Sequence, residues 1–182
     1  NAIIARYGAP YRIHIELARE MGKSPEERMK IQRSQEDNRR DRERLEEEMR
    51  EQFGRDPSGT DVLKYRLYRE QNGQCAYSLQ GIDLNRLFEP GYAEVDHIIP
   101  YSRCFDDGRP NQALVLASEN QKKRNRTPFE LFGHDEKHWA EYEAWVRSTI
   151  RDHNRRNNLL RRTLDEQEWK ERSLTDTKYI TR

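Results

Sequence analysis

"YAEVDHIIPYSRCFDDGRPNQALVLASENQKKRNR" fills residues 92–126, and the order of its patterns decides the fold. Residues 92–99 are largely apolar and partly β-branched, interrupted by Glu94 and by the adjacent pair Asp96 and His97, and read as a strand. The polar stretch 100–112, with its Pro and Gly punctuation, reads as a loop, and "ALVLA" at 113–117 as a second strand. "SENQKKRNR" at 118–126 then predicts a helix capped by Ser118. The result is β, long loop, β, α, in a chain of α+β class.

Neighbours on a strand point to opposite faces, so Asp96 and His97 cannot both ligate one ion without distortion. Their separation suits a division of labour. A hard divalent cation such as Mg²⁺ takes carboxylate or amide oxygens, whereas a general base at neutral pH needs an imidazole that is not consumed as a ligand. A second oxygen is available on the following helix, where Asn120 lies in the first turn and Glu119 competes with it. Asn111, in the loop entering the second strand, is suited to hydrogen-bond back across that loop and fix the orientation of the base.

Working outward, the 182 residues are 33% hydrophobic and 37% charged, with mean hydropathy −1.26, which implies a small core with polar helical arms. A net charge of +1 does not by itself announce a nucleic-acid binder, so local clusters must decide. One gathers Lys122, Lys123, Arg124 and Arg126. A second runs through Arg147, Arg151, Arg155, Arg156, Arg161 and Arg162. Two cysteines, Cys75 and Cys104, are too few for a disulfide-stapled scaffold. No apolar run approaches a membrane span and no signal peptide is visible, so a cytoplasmic location and no membrane contact are expected. Opening on Asn1 without a methionine, the chain is expected to be a piece of a longer protein.

Ser24, Pro25, Glu26 and Glu27 predict a helix start, with the helix running to about Phe53 and stopping at Gly54. Its sizeable apolar residues, Met29, Ile31, Leu45 and Met49, are too sparse for a continuous buried stripe, which predicts a solvated connecting helix. Thr60 is expected to cap a second helix that ends at Asn72–Gly73 and opens the compact domain. "QCAYSLQGIDL" at 74–84 reads as a tight hairpin. Trp139, Tyr142, Trp145 and Val146 recur at helical spacing and read as core rather than as a base-stacking platform. The chain from 164 on reads as helix and then an extended tail.

His97, Asn111 and Asn120, with "VDHIIP", the acidic pair at 106–107, "NQALVL" at 111–116 and "SENQKK" at 118–123, resemble the HNH nuclease family. Within it the pattern is most similar to the HNH domain of type II, RNA-guided CRISPR effectors. "TDVLKYRLY" at 60–68 and the compact spacing look like the smaller II-C branch. "IHIELARE" at 13–20 resembles a segment of the split RuvC-like nuclease of those effectors, and 171–182 the linker toward its third segment.

The resemblance implies a ββα-metal core, with Asp96 and Asn120 holding Mg²⁺ (Mn²⁺ as a substitute), His97 deprotonating the attacking water, Asn111 orienting the base, and Lys123 contacting phosphate. Glu16 would be a metal ligand of the RuvC-like site, which is incomplete because its partner acids are absent. No structural zinc is expected, since Ser78 stands where a second thiol would follow Cys75. The implied substrate is the target DNA strand in a heteroduplex with guide RNA. The implied partners are that guide RNA and the remainder of the effector, its RuvC-like and recognition lobes, in a monomeric prokaryotic protein. The expected organisation is 1–22 RuvC-like segment, 23–59 linker helix, 60–163 HNH domain and 164–182 linker. Competing readings are a stand-alone HNH homing or restriction nuclease and a regulatory module that binds nucleic acid without cutting.

Overall fold

The computed structural model describes Arg6 and residues 24–164. The expectations for "IHIELARE", Glu16 and the closing tail fall outside the described residues. The chain divides into two compact units, Asn1–Asp41 and Arg42–Arg182. Helix α1 spans Pro25–Phe53 and begins as its sequence predicts: the Ser24 hydroxyl accepts from the Glu27 amide at 3.2 Å, and the Glu27 carboxylate accepts from the Ser24 amide at 2.7 Å. It ends at Gly54, whose φ of +64° suits a residue without Cβ. Glu36 accepts from both Arg39 and Arg40, one turn further on, and that pairing holds its carboxyl below the usual range.

In the second unit the expectation of a solvated helix is corrected. Leu45 and Met49, one turn apart, are buried to 3% and 1% exposure in the core cluster. Two apolar residues at that spacing are enough to dock a single turn when the surface they meet is itself apolar.

Helix α2, Gly59–Glu70, is capped by Ser58 rather than Thr60, because Ser58 and Asp61 form a reciprocal capping box that Thr60 is placed too late to make. The chain leaves α2 through Asn72 and Gly73, both at positive φ, as their turn chemistry predicts. Residues 74–84 double back as the expected tight hairpin, a minimal one: a single antiparallel bridge joins Gln74 to Gly81, and the Cys75 amide donates to the Gln80 carbonyl at 2.8 Å.

Strand β1, Ala93–His97, pairs antiparallel with β2, Gln112–Leu116, with Asp96 opposite Ala113 and His97 opposite Gln112. Between them lie a short helix α3, Tyr101–Cys104, and a 3₁₀ turn at Arg109–Asn111. Helix α4, Ala117–Lys123, follows β2 with no connecting residue, so Ser118 sits inside the helix and not at its cap. The Ala117 amide is satisfied instead by the Tyr92 carbonyl at 3.0 Å.

Helix α5, Pro128–Phe132, is capped by Thr127 and Glu130; α6, Glu136–Thr149, by Asp135; and α7, His153–Leu159, by Asp152. Trp139, Tyr142 and Val146 line the buried face of α6, as their spacing predicts. Phe129, Phe132, Trp139 and Tyr142 meet ring to ring at centroid distances of 4.8–5.9 Å. Arg155, within the second basic cluster, is buried, paired with Glu70, and donates to the Arg109 carbonyl at 3.2 Å.

A two-stranded sheet has little ladder of its own, and Gln71 extends it. Its buried amide accepts from the Leu114 amide and donates to the Leu114 carbonyl, both at 2.8 Å, so the side chain stands in for a further strand residue. The Leu114 carbonyl also accepts from the Ala76 amide at 3.0 Å, so Gln71→Leu should orphan the Leu114 amide alone and cost about 1–3 kcal/mol, read by urea denaturation.

Arg103 and Glu130 tie α3 to the cap of α5, with Arg103 Nη2 donating at 2.9 Å. This pairing lowers the Glu130 pKa from its ordinary 4.5. Its stabilising contribution is thus present above pH 4.5 and lost as pH falls through the lowered folded value. Glu130→Gln should flatten that acid limb in a pH series of thermal unfolding.

Candidate functional site

Strand β1 presents Glu94 and Asp96 on one face, two residues apart, and α4 lays Asn120 and Lys123 across them, three residues apart. Asn120 Nδ2 donates to Glu94 Oε2 at 2.8 Å. Lys123 Nζ lies 2.9 Å from Asp96 Oδ2 and donates to the His97 carbonyl at 2.8 Å. The Tyr77 hydroxyl donates to the same Asp96 oxygen at 2.6 Å, and its ring lies 5.6 Å from the Lys123 ammonium. Lys123 is 1% exposed. Burial pulls its pKa down while the Asp96 charge opposes the shift. Burial, and then the Asp96 charge, push the Tyr77 phenol well above its ordinary value, so it remains a donor.

His97 ends the strand, and its Nε2 lies 2.8 Å from Asp107 Oδ1. A carboxylate only accepts, so this contact puts a proton on Nε2 and leaves the lone pair on Nδ1. The Tyr101 ring stands 5.8 Å from the imidazole. The fully buried Asn111 fastens the loop that carries Asp107: its Oδ1 accepts from the Ile99 amide at 2.9 Å, and its Nδ2 donates to the Ile99 and Asp106 carbonyls, each at 2.9 Å.

The structure brings His97, Asp96, Asn111, Asn120 and Lys123 onto one strand–loop–strand–helix unit. Within it, Asn120 is bonded to Glu94 and not to Asp96. The expectation that Lys123 meets phosphate is corrected: its position one turn beyond Asn120 turns the ammonium inward onto Asp96, where it is buried and committed. Glu119 pairs with Lys122 at 2.6 Å. Three contributors were missed: Glu94, Tyr77 and Asp107. Period-two alternation alone puts Glu94 on the face of Asp96; Asp107 stood in the acidic pair at 106–107, but its role toward His97 was not read from it, and Tyr77 carried no local signal, since its role arises from a contact across the fold. Cys75 is buried, and its sulfur accepts from the Leu116 amide at 3.3 Å.

A hard cation fits the donors present. Asp96 commits only Oδ2, and Asn120 only Nδ2, so Asp96 Oδ1 and Asn120 Oδ1 have no partner among the described residues. Those are carboxylate and amide oxygens, the kind Mg²⁺ takes. No group of three His, Cys, Asp or Glu side chains suited to a metal occurs among the described residues. The set therefore suits an ion that keeps most of its water.

Residues 75–129, which carry the two strands, the Asp-His pair at the end of the first and the helix with Asn120, match the family described as HNH endonuclease. The wider chain is 39% identical to the CRISPR-associated endonuclease Cas9 of Campylobacter jejuni over 148 residues, 81% of this chain and 15% of that protein. It is 31% identical to Cas9 1 of Streptococcus thermophilus over 100% of this chain and 18% of that protein. A crystal structure of Streptococcus thermophilus Cas9 in complex with the GGAA PAM superimposes with a TM-score of 0.72 at 31% identity, covering 100% of this chain and 19% of that one. The Type II-C Cas9 enzyme from Actinomyces naeslundii shares the fold, with a TM-score of 0.54 at 23% identity over 90% of this chain and 20% of that one.

The chain belongs to the HNH endonucleases as they occur in Cas9, and it spans a fifth or less of the length of these relatives. No helix among the described residues is long and apolar enough to cross a membrane.

Removing one partner of a buried ion pair strands the other. Lys123→Ala should lower stability by about 3 kcal/mol in chemical denaturation, since Asp96, Tyr77 and the His97 carbonyl all lose contact with the ammonium.

Proposed function

We propose that this chain is the metal-dependent DNA-cleaving domain of an RNA-guided effector, hydrolysing one phosphodiester of the target strand paired with guide RNA. The observation that carries the reading is the pairing of Asp107 with His97 Nε2, which leaves Nδ1 free to accept a proton at the end of the strand that bears Asp96. The Cas9 relatives, matched over 81% and 100% of this chain, support the RNA-guided setting.

In this reading Asp96 Oδ1 and Asn120 Oδ1 hold Mg²⁺, or Mn²⁺ in its place. Bound there, the cation supplies positive charge against the phosphate oxygens. His97 Nδ1 takes a proton from water as the water oxygen bonds to phosphorus and the bond to the leaving 3′-oxygen breaks. Asp107 holds the imidazole and stabilises the cation that forms on it. Asn111 acts through Asp107 by fixing the loop. Guide RNA, the heteroduplexed strand, and the RuvC-like and recognition parts of a longer protein are the proposed partners. The organisation proposed for the chain remains 1–22, 23–59, 60–163 and 164–182, with Glu16 belonging to the RuvC-like site.

Strand-resolved cleavage by the full-length effector tests this. Asp96→Ala, His97→Ala and Asn120→Ala should each lower target-strand cutting by at least about 100-fold while cutting of the other strand persists, and Asp107→Asn should lower it about tenfold. Unchanged target-strand nicking by His97→Ala would remove the base from this scheme. Cutting independent of guide RNA would favour a stand-alone nuclease.

A further inference from the structure

The geometry points to Glu94 as a positioning residue that sets which end of the Asn120 amide faces the metal. This rests on the metal site proposed above. Glu94 precedes Asp96 by two residues, shares its strand face, and accepts from Asn120 Nδ2 at 2.8 Å. A side-chain amide is a donor at one end and an acceptor at the other, whereas a carboxylate only accepts. The Glu94 contact therefore selects the NH₂ end. It leaves Asn120 Oδ1, which has no partner among the described residues, as the end available to a cation.

The choice matters because the two ends are nearly the same shape and opposite in chemistry. Hard cations bind the amide oxygen and are repelled by the NH₂ group. Without Glu94, the amide is free to turn about its last torsion and present either end, and the ordering of the ligand must then come from the cation itself. Outer contacts that orient a ligand in this way typically carry 10–100-fold in metal affinity. Glu94 acts through Asn120, and its acceptor oxygen does the work rather than its charge. Glutamine retains such an oxygen; valine, well suited to a strand, does not.

The test uses the purified 182-residue chain with Mn²⁺ alone as probe. Free Mn²⁺ is followed by electron paramagnetic resonance, and thermal unfolding is measured in parallel to register folding. Glu94→Val should weaken Mn²⁺ binding about tenfold. Glu94→Gln should stay within about twofold of the parent, because its amide oxygen can still accept from Asn120. In an Asn120→Ala background Glu94→Val should produce no further loss, since the residue through which it acts is gone.

The inference is overturned if Glu94→Val folds and binds Mn²⁺ like the parent, which would make the contact a plain helix-to-strand tie. Equal losses in Glu94→Gln and Glu94→Val would mean that the charge matters, and a loss that persists without Asn120 would mean direct ligation. Either outcome also overturns it. Should Glu94→Val fail to fold, Glu94→Ala takes its place: a loss of about tenfold there beside near-parent binding by Glu94→Gln sustains the proposal, and parent-like binding by Glu94→Ala, or a loss of about tenfold in Glu94→Gln, sinks it. Binding in the parent that Asp96→Ala leaves undiminished would sink the metal site itself, a failure distinguishable from the others because it appears before Glu94 is altered.

Discussion

The Lys123 ammonium, buried between Asp96, the His97 carbonyl and the Tyr77 ring, is the interaction on which the rest of this unit depends. It is the point where helix, strand and loop are joined by one charge. Burying an ammonium is costly, and here the cost is offset by one carboxylate and one carbonyl within 3 Å, with an aromatic face nearby. The same contacts fix how α4 lies on β1, and so where Asn120 falls. They also leave Asp96 partly neutralised, so a divalent cation arriving at its other oxygen meets a carboxylate already shared with an ammonium.

Two neutral amides do comparable work for the backbone. Gln71 satisfies both polar groups of Leu114, and Asn111 satisfies the Ile99 amide together with the Ile99 and Asp106 carbonyls. A sheet of two strands has two edges and no interior, so each departure from the ladder leaves groups that must find partners elsewhere. Side-chain amides, with a donor and an acceptor on one planar group, are well matched to that need. The loop after β1 is held by them, although it has little regular structure of its own.

Much of this was legible in the chain. Short apolar runs marked both strands, Ser24 and Pro25 marked the start of α1, and Asp96, His97 and Asn120 stood out by chemical type. Pairings were the harder part. That Lys123 would turn inward depended on the phase of a helix that begins one residue before Ser118, and this phase is set by how directly β2 runs into it. Leu45 and Met49 were discounted because a sparse stripe reads as solvent-exposed. Only the apolar surface supplied by other segments shows why one turn suffices. Tyr77 is nineteen residues from Asp96, which it contacts, and no local pattern announced it; Asp107 belonged to a visible acidic pair, but its bond to His97 depends on how the loop folds back.

The direct junction between Leu116 and Ala117 has a consequence for how chains of this kind can change length. A strand repeats every two residues and an α-helix turns by about 100° per residue. With no loop between the two, one inserted or deleted residue at this join would swing Asn120 and Lys123 together off the face of β1. The segment between Pro100 and Asn111 is under a looser constraint. It needs Asp107 and Asn111 correctly spaced near its end, and extra residues before them would be absorbed as a larger loop. Insertions that preserve the site should accumulate on the first side of β2 and be nearly absent on the second.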